Sequence, residues 1–87
     1  MKKSTYLVEA DSFWHARSVG ELSRAAKSYN GTDILITKND RTVKASQFLF
    51  LLGLSVKKGD SITITAVGPE EDEAIMTMHH LFKQTLS

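Results

Sequence analysis

A histidine and an arginine two positions apart, His15 and Arg17, are the residues with the clearest capacity for chemistry. They lie where a short strand-like segment gives way to a helix-like one. A neutral imidazole nitrogen is a nucleophile, and the free N–H groups of a helix start together with a guanidinium receive anionic phosphoryl oxygens. The pattern therefore predicts that His15 accepts a phosphoryl group and that Arg17 stabilises it.

Four neighbouring residues have two interpretations each. The hydroxyl of Ser12 is placed to contact the imidazole or the phosphate, or it serves a turn; Ser18 contacts the phosphate or helps to cap the helix. The rings of Phe13 and Trp14 pack beneath the loop or form a recognition surface. A His-x-Arg pattern alone also fits two ordinary surface residues, so the pattern needs support from the rest of the chain.

Composition limits the classes of protein that this chain can represent. Its 87 residues, 41% hydrophobic and 24% charged, predict one globular domain over residues 1–87. The net charge of +1 argues against strong attraction to nucleic acid or to a membrane surface. Cysteine is absent, which excludes disulfides and a thiolate nucleophile. We expect a cytoplasmic protein without a signal peptide, a cofactor or a metal site.

Hydrophobic periodicity predicts four strands and three helices. The clearest helical stripe is Val19, Leu22, Ala26 and Tyr29, and the clearest strand alternates from Ser61 to Val67. The remaining segments are strands at 5–9, 33–37 and 42–44, a short helix at 47–52 and a last helix after Pro69. The order β-α-β-β-α-β-α predicts an α+β fold of the open-faced β-sandwich type. In it, three helices cover one face of a four-stranded antiparallel sheet.

The short second helix is apolar nearly all round. Ser46 is the predicted cap, and part of the helix is expected to stay exposed as a contact patch. Phe48, Leu49 and Leu52 are the predicted partner-contact residues.

Several segments in this order resemble HPr, the histidine-containing phosphocarrier of the sugar phosphotransferase system. Those nearest the site are Thr5-Tyr6-Leu7-Val8, Asp11-Ser12 and His15-Ala16-Arg17. Others extend the similarity nearly end to end: Ala26-Lys27-Ser28-Tyr29, Thr42-Val43 and Lys58-Gly59-Asp60-Ser61-Ile62-Thr63-Ile64. The predicted element order is also that of the HPr fold.

The resemblance implies a stoichiometric carrier rather than an enzyme. His15 would accept a phosphoryl group from phosphorylated enzyme I through Nδ1 and pass it to an enzyme IIA, with Arg17 as anion partner. Gram-positive members also carry a regulatory serine at the start of the second helix. A kinase phosphorylates that serine, and the helix helps to bind a transcriptional regulator. Counting from His15 puts this serine at Ser46, whereas counting back from Lys58-Gly59 puts Gln47 there.

Three positions depart from the family pattern. Ser18 replaces the usual proline, and Phe13 and Trp14 replace a small residue and an aliphatic one. These changes leave open an HPr-like regulatory module that binds a protein through residues 12–18 and 47–54, with phosphotransfer secondary or absent. A small RNA-binding α/β domain is a weaker alternative, because the strands offer only Tyr6 as an aromatic and the charge is balanced.

Overall fold

The computed structural model describes residues 1–8, 14 and 16–86, with side chains as far as residue 84. The predicted order of elements is confirmed, and their bounds are as follows: β1 (Lys2–Leu7), α1 (Ala16–Lys27), β2 (Asp33–Lys38), β3 (Arg41–Lys44), α2 (Phe48–Leu52), β4 (Ser61–Val67) and α3 (Glu71–Leu86).

The four strands form one antiparallel sheet in the order β1-β4-β2-β3. The predicted alternation of β4 is confirmed, since Ile62, Ile64 and Ala66 are buried in the core. Strand β1 begins earlier than predicted, at Lys2, because it pairs with β4 from Lys2↔Ala66 to Leu7↔Ser61. Cross-strand pairing, rather than strand propensity alone, sets this boundary.

Helix α1 buries the predicted stripe in the core. Val19, Leu22 and Ala26 are core residues. The helix ends at Lys27, so Tyr29 lies beyond it, where its hydroxyl donates to Thr77 Oγ1 on α3 at 2.9 Å. Gly31 then adopts a φ of 82°, a left-handed conformation that suits glycine and lets the chain turn into β2.

Helix α3 starts at Glu71, two residues after Pro69. The side chain of Thr32 lies at this end and accepts a hydrogen bond from the backbone N–H of Glu70 at 3.0 Å. Met78 and Phe82 are fully buried in the core. The helix therefore packs on the sheet through the face that carries these two side chains.

Helix α2 is short, and the prediction that Ser46 caps it is wrong. The N-cap residue is Gln47, with φ −96° and ψ 90°, and its side chain makes no capping hydrogen bond in the described structure. The backbone N–H of Gln47 donates to Lys44 O at 3.0 Å, which extends the turn from β3 by one residue. Ser46 is half-buried within that turn.

Candidate functional site

The first turn of α1 is the anion-binding feature that the sequence predicts next to His15. Ala16 and Arg17 are its exposed first two residues, and half-buried Ser18 is the third. The first N–H groups of a helix have no partner within the helix, and the helix dipole makes this end positive. No acidic side chain occurs among the described residues of this turn.

Three predicted site residues, Ser12, Phe13 and His15, lie outside the described residues. The two chain neighbours of His15 are both described. Ala16 begins α1, and Trp14 precedes the histidine. His15 therefore directly precedes the first residue of α1 in the chain.

Trp14 packs into the molecule. Its indole Nε1 donates to Leu51 O and to Leu52 O, at 3.2 Å each. Its ring lies 6.0 Å from that of Phe82, centroid to centroid, with an angle of 33° between the planes. For Trp14 the packing interpretation is confirmed, and a free recognition surface made by this ring is wrong.

A groove of 340 Å³ separates α1 from α2. Its lining residues combine cations with an aromatic ring: Ala16, Gly20, Ser23, Arg24, Lys27 and Phe48. A Cβ atom on Gly20 would lie 3.7 Å from Phe48 Cε1, an ordinary van der Waals distance, so the ring of Phe48 lies directly over this part of α1. The buried hydroxyl of Ser23 has no hydrogen-bond partner among the described residues.

Arg24 and Lys27 are site candidates that were not predicted from the sequence. Arg24 lies seven positions after Arg17, a separation of two turns that puts both guanidinium groups on one face of α1. Both arginines and Lys27 are exposed. The helix thus presents three exposed cations on the side that starts directly after His15, with exposed Glu21 between Arg17 and Arg24.

The apolar contact patch is only partly the predicted one. Leu49 is 76% exposed, as expected for a contact residue. Phe48 and Leu52 are half-buried and pack against the core. Phe50 was not predicted but is 61% exposed. In a helix that is apolar nearly all round, the sequence gives no period with which to tell the outward positions from the inward ones.

The carboxyl-terminal end of α2 receives side-chain donors from three parts of the chain. Besides Trp14, Lys38 Nζ donates to Leu54 O at 3.0 Å and to Ser55 O at 2.8 Å. Arg41 Nη1 donates to Gly53 O at 3.4 Å. Trp14 thus bonds to the last two carbonyl groups of the helix, and Lys38 and Arg41 bond to the three residues that follow it.

Asp60 completes this cluster. Its Oδ2 accepts from the backbone N–H of Lys57 at 2.9 Å and lies 3.1 Å from Lys38 Nζ. The Lys57 N–H donation is the main influence that lowers the pKa of this carboxyl group, and the ammonium of Lys38 lowers it further. The lysine therefore ties the end of β2 both to α2 and to the turn before β4.

The other two histidines lie on α3. The ring of His79 is half-buried, with Nδ1 2.8 Å from Ser4 Oγ, and His80 is exposed. Within the described part of the chain, no three histidine, aspartate or glutamate residues gather as a metal site would require. Among the helices described, none has the length and apolar character needed to cross a membrane.

The comparisons with known proteins agree on one family. A family model described as "PTS HPr component phosphorylation site" matches residues 2–84. The phosphocarrier protein HPr of Vibrio cholerae is 30% identical over 77 residues, covering 88% of this chain and 89% of the relative.

Solved structures agree with this result at the level of the fold. HPr-C-His from Thermoanaerobacter tengcongensis superposes with a TM-score of 0.87 at 24% identity, covering 99% of this chain and 96% of that one. A histidine-containing phosphocarrier protein from Mycoplasma gives a TM-score of 0.88 at 23% identity, covering 98% and 97%. The chain therefore belongs to the HPr family of phosphocarrier proteins of the phosphotransferase system.

Proposed function

We propose that this chain carries a phosphoryl group on His15, taken from phosphorylated enzyme I and delivered to an enzyme IIA-type acceptor. The observation that carries the proposal is the start of α1 at Ala16, directly after His15, with Arg17 exposed in its first turn. Membership of the HPr family supports the same assignment.

The proposed step follows from the chemistry of a neutral imidazole. The Nδ1 lone pair of His15 attacks phosphorus, a P–N bond forms, and the bond from phosphorus to the donor enzyme breaks with its electron pair leaving on the donor. The proton on Nε2 remains in place during the attack. Arg17 and the first N–H groups of α1 then stabilise the phosphoryl dianion. Delivery to the acceptor reverses these steps.

Partner binding is assigned to the surface of α1 and α2 beside this helix start. Exposed Leu49 and Phe50 supply apolar contact area, and Arg24 and Lys27 supply positive charge. An apolar patch bordered by cations suits protein partners with apolar and acidic side chains. Ser18 and Ser12 are assigned supporting roles at the phosphate.

The proposal is tested by incubating the chain with enzyme I and phosphoenolpyruvate. We expect a mass gain of one phosphate, abolished by His15→Ala and retained by His80→Ala, which removes an exposed histidine on α3 as the matched control. A gain that survives His15→Ala would contradict the assignment. No gain with several enzyme I homologues would favour the regulatory module.

A second candidate function is the regulatory module. The residue at the start of α2 bears on this candidate. Gln47, not Ser46, is the N-cap residue of α2. This supports the count that puts Gln47 at the position of the regulatory serine of Gram-positive members. We infer that control by a serine kinase is lost. Such a kinase should leave the chain unmodified, whereas Gln47→Ser should create an acceptor; phosphorylation of Ser46 would overturn this inference.

A further inference from the structure

Trp14 connects the segment that carries His15 to helix α2. The residue stands next to His15 in the chain, while its indole N–H reaches two carbonyl groups 37 and 38 residues away. Both carbonyls belong to the last turn of α2, where Leu54 N and Ser55 N also donate to them, at 3.2 and 3.3 Å. The indole therefore adds a donor at the point where the helix ends.

Packing of the indole ring fixes Trp14 from a second direction. Phe82 is fully buried in the core, and the indole packs against it at 6.0 Å. An aliphatic side chain could fill this space but could not donate a hydrogen bond, because the indole Nε1–H is what reaches the carbonyls. Packing and hydrogen bonding together hold the side chain of Trp14, which is the chain neighbour of His15.

Helix α2 is not stable by itself and depends on contacts with the rest of the molecule. It has five residues, too few for a stable isolated helix, and it carries the exposed side chains of Leu49 and Phe50. A protein that docks on those two side chains acts on α2 directly. Because the indole bridges two successive carbonyls, a rotation of the last turn of α2 changes the Trp14 bonds.

We propose that Trp14 is a positioning residue that couples the apolar surface of α2 to His15. Partner docking on Leu49 and Phe50 stabilises the last turn of α2, and the indole bonds carry this to the peptide before the histidine. The coupling is reciprocal, so a change at His15 also alters α2. The inference rests on the proposed function, which makes His15 the acceptor.

The first experiment measures the chain as the substrate of enzyme I. Trp14→Phe keeps an aromatic ring but removes the indole donor, and we expect kcat to fall about 3- to 10-fold with KM little changed. Leu49→Ala is the matched comparison, because it removes docking contact: it should raise KM and, through the same link, also lower kcat. Equal kcat for Trp14→Phe and wild type, both fully folded by circular dichroism, would overturn the inference.

A second experiment does not depend on phosphotransfer. Lys38→Met removes a donor from the same end of α2 on the side of β2. We expect it to shift the NMR resonance of the His15 ring C2–H in the wild-type background and to leave it unmoved in the Trp14→Phe background. An equal shift in both backgrounds would contradict the coupling even if enzyme I failed to phosphorylate the chain.

A Trp14→Phe chain that fails to fold leaves a direct measurement on the wild type. Trp14 is the only tryptophan of the sequence, so its indole N–H gives one NMR signal. Lys38→Met should then move both this signal and that of the His15 ring. An indole signal that moves while the His15 signal does not would show that α2 and the acceptor are independent.

Discussion

Helices α2 and α3 satisfy their ends in different ways. Helix α3 has 16 residues, with Glu71, Asp72 and Glu73 in its positive first turn and Lys83 in its last. Helix α2 has five residues and, by its described side chains, neither an acidic first turn nor a basic last turn. Donors at its end come instead from Trp14, Lys38 and Arg41.

The difference bears on function. A helix whose own charged side chains complement its dipole, and which buries a full apolar stripe, stays stable when neighbouring residues move slightly. When residues from other elements bond to the end of a helix, a shift of those residues shifts the helix, and a shift of the helix shifts them. Helix α2 has exposed Leu49 and Phe50 and accepts the hydrogen bonds of the residue before His15, whereas α3 contacts that residue through the ring of Phe82. The dependent helix is therefore the one suited to link docking with transfer.

The largest effect is expected at Phe82 of α3, because its ring packs against Trp14, the residue that bonds to the end of α2. Phe82→Ala removes a fully buried ring of α3 that also packs against Trp14, and the cavity should cost about 3–5 kcal/mol in the free energy of unfolding. Urea unfolding followed by circular dichroism measures this loss. Met76→Ala, on the same helix but 72% exposed, should change stability by less than about 0.5 kcal/mol. A loss below about 1 kcal/mol for Phe82→Ala would contradict the packing described.

The next largest effect tests whether the carboxyl-terminal end of α2 depends on donors from other elements. Lys38→Met keeps the aliphatic stem but removes the ammonium that bonds Leu54 O, Ser55 O and Asp60. Hydrogen bonds to a charged group are worth more than neutral ones, so we expect a loss of about 1–3 kcal/mol in urea unfolding. Lys44→Met, at an exposed position of β3, is the control and should be near neutral. Equal effects for the two variants would show that α2 does not depend on Lys38.

The pH dependence of this loss has a defined sign. The pKa of Asp60 is lowered in the folded state, chiefly by the Lys57 N–H and then by Lys38. Its contribution to stability is present above the unfolded value of about 3.9 and is lost as pH falls through the folded value. The stability difference between wild type and Lys38→Met should therefore narrow in acid. A difference that widens as pH falls below about 4 would contradict the ion pair.

A smaller effect is expected at the start of α3, where a side chain from another part of the molecule also bonds the backbone. Thr32→Val removes the hydroxyl that accepts from Glu70 N and should cost about 1 kcal/mol, the usual cost of losing a helix cap. Thr5→Val, on the exposed face of β1, is the matched control and should be within about 0.5 kcal/mol of wild type. A Thr32→Val chain as stable as the control would mean that the acidic first turn is sufficient for α3.

The same contrast explains what the sequence could predict. The elements with a clear period, such as β4 and the stripe of Val19, Leu22 and Ala26, were assigned correctly because local alternation determines which face is buried. The link from Trp14 to α2 joins residues 37 positions apart and depends on tertiary packing, so no local pattern reveals it. Phe50 was missed for a related reason, since an all-apolar helix has no polar side to mark its outward face.

The error at Ser46 shows the limit of residue preference. Serine is a favoured N-cap residue, and its position before the apolar run made it the obvious choice. The turn from β3 instead continues through Ser46, because Gln47 N bonds to Lys44 O, and the helix begins one residue later. Hydrogen bonding of the preceding turn decided the boundary.

The smallest predicted effect concerns the N-cap position of α2, where the Gln47 side chain makes no capping hydrogen bond in the described structure. The backbone of Gln47 is already extended, as an N-cap requires, so Gln47→Ser supplies a hydroxyl to the free N–H groups of α2 and should stabilise the chain by about 0.5–1 kcal/mol. Urea unfolding measures the gain, and Ser46→Ala, which removes no cap, should cause no comparable loss. If Ser46→Ala instead destabilised the chain by the amount that Gln47→Ser was expected to add, Ser46 would be the true cap. The amino-terminal end of α2 would then be as well satisfied as that of α3, and the contrast between the two helices would rest on their carboxyl-terminal ends alone.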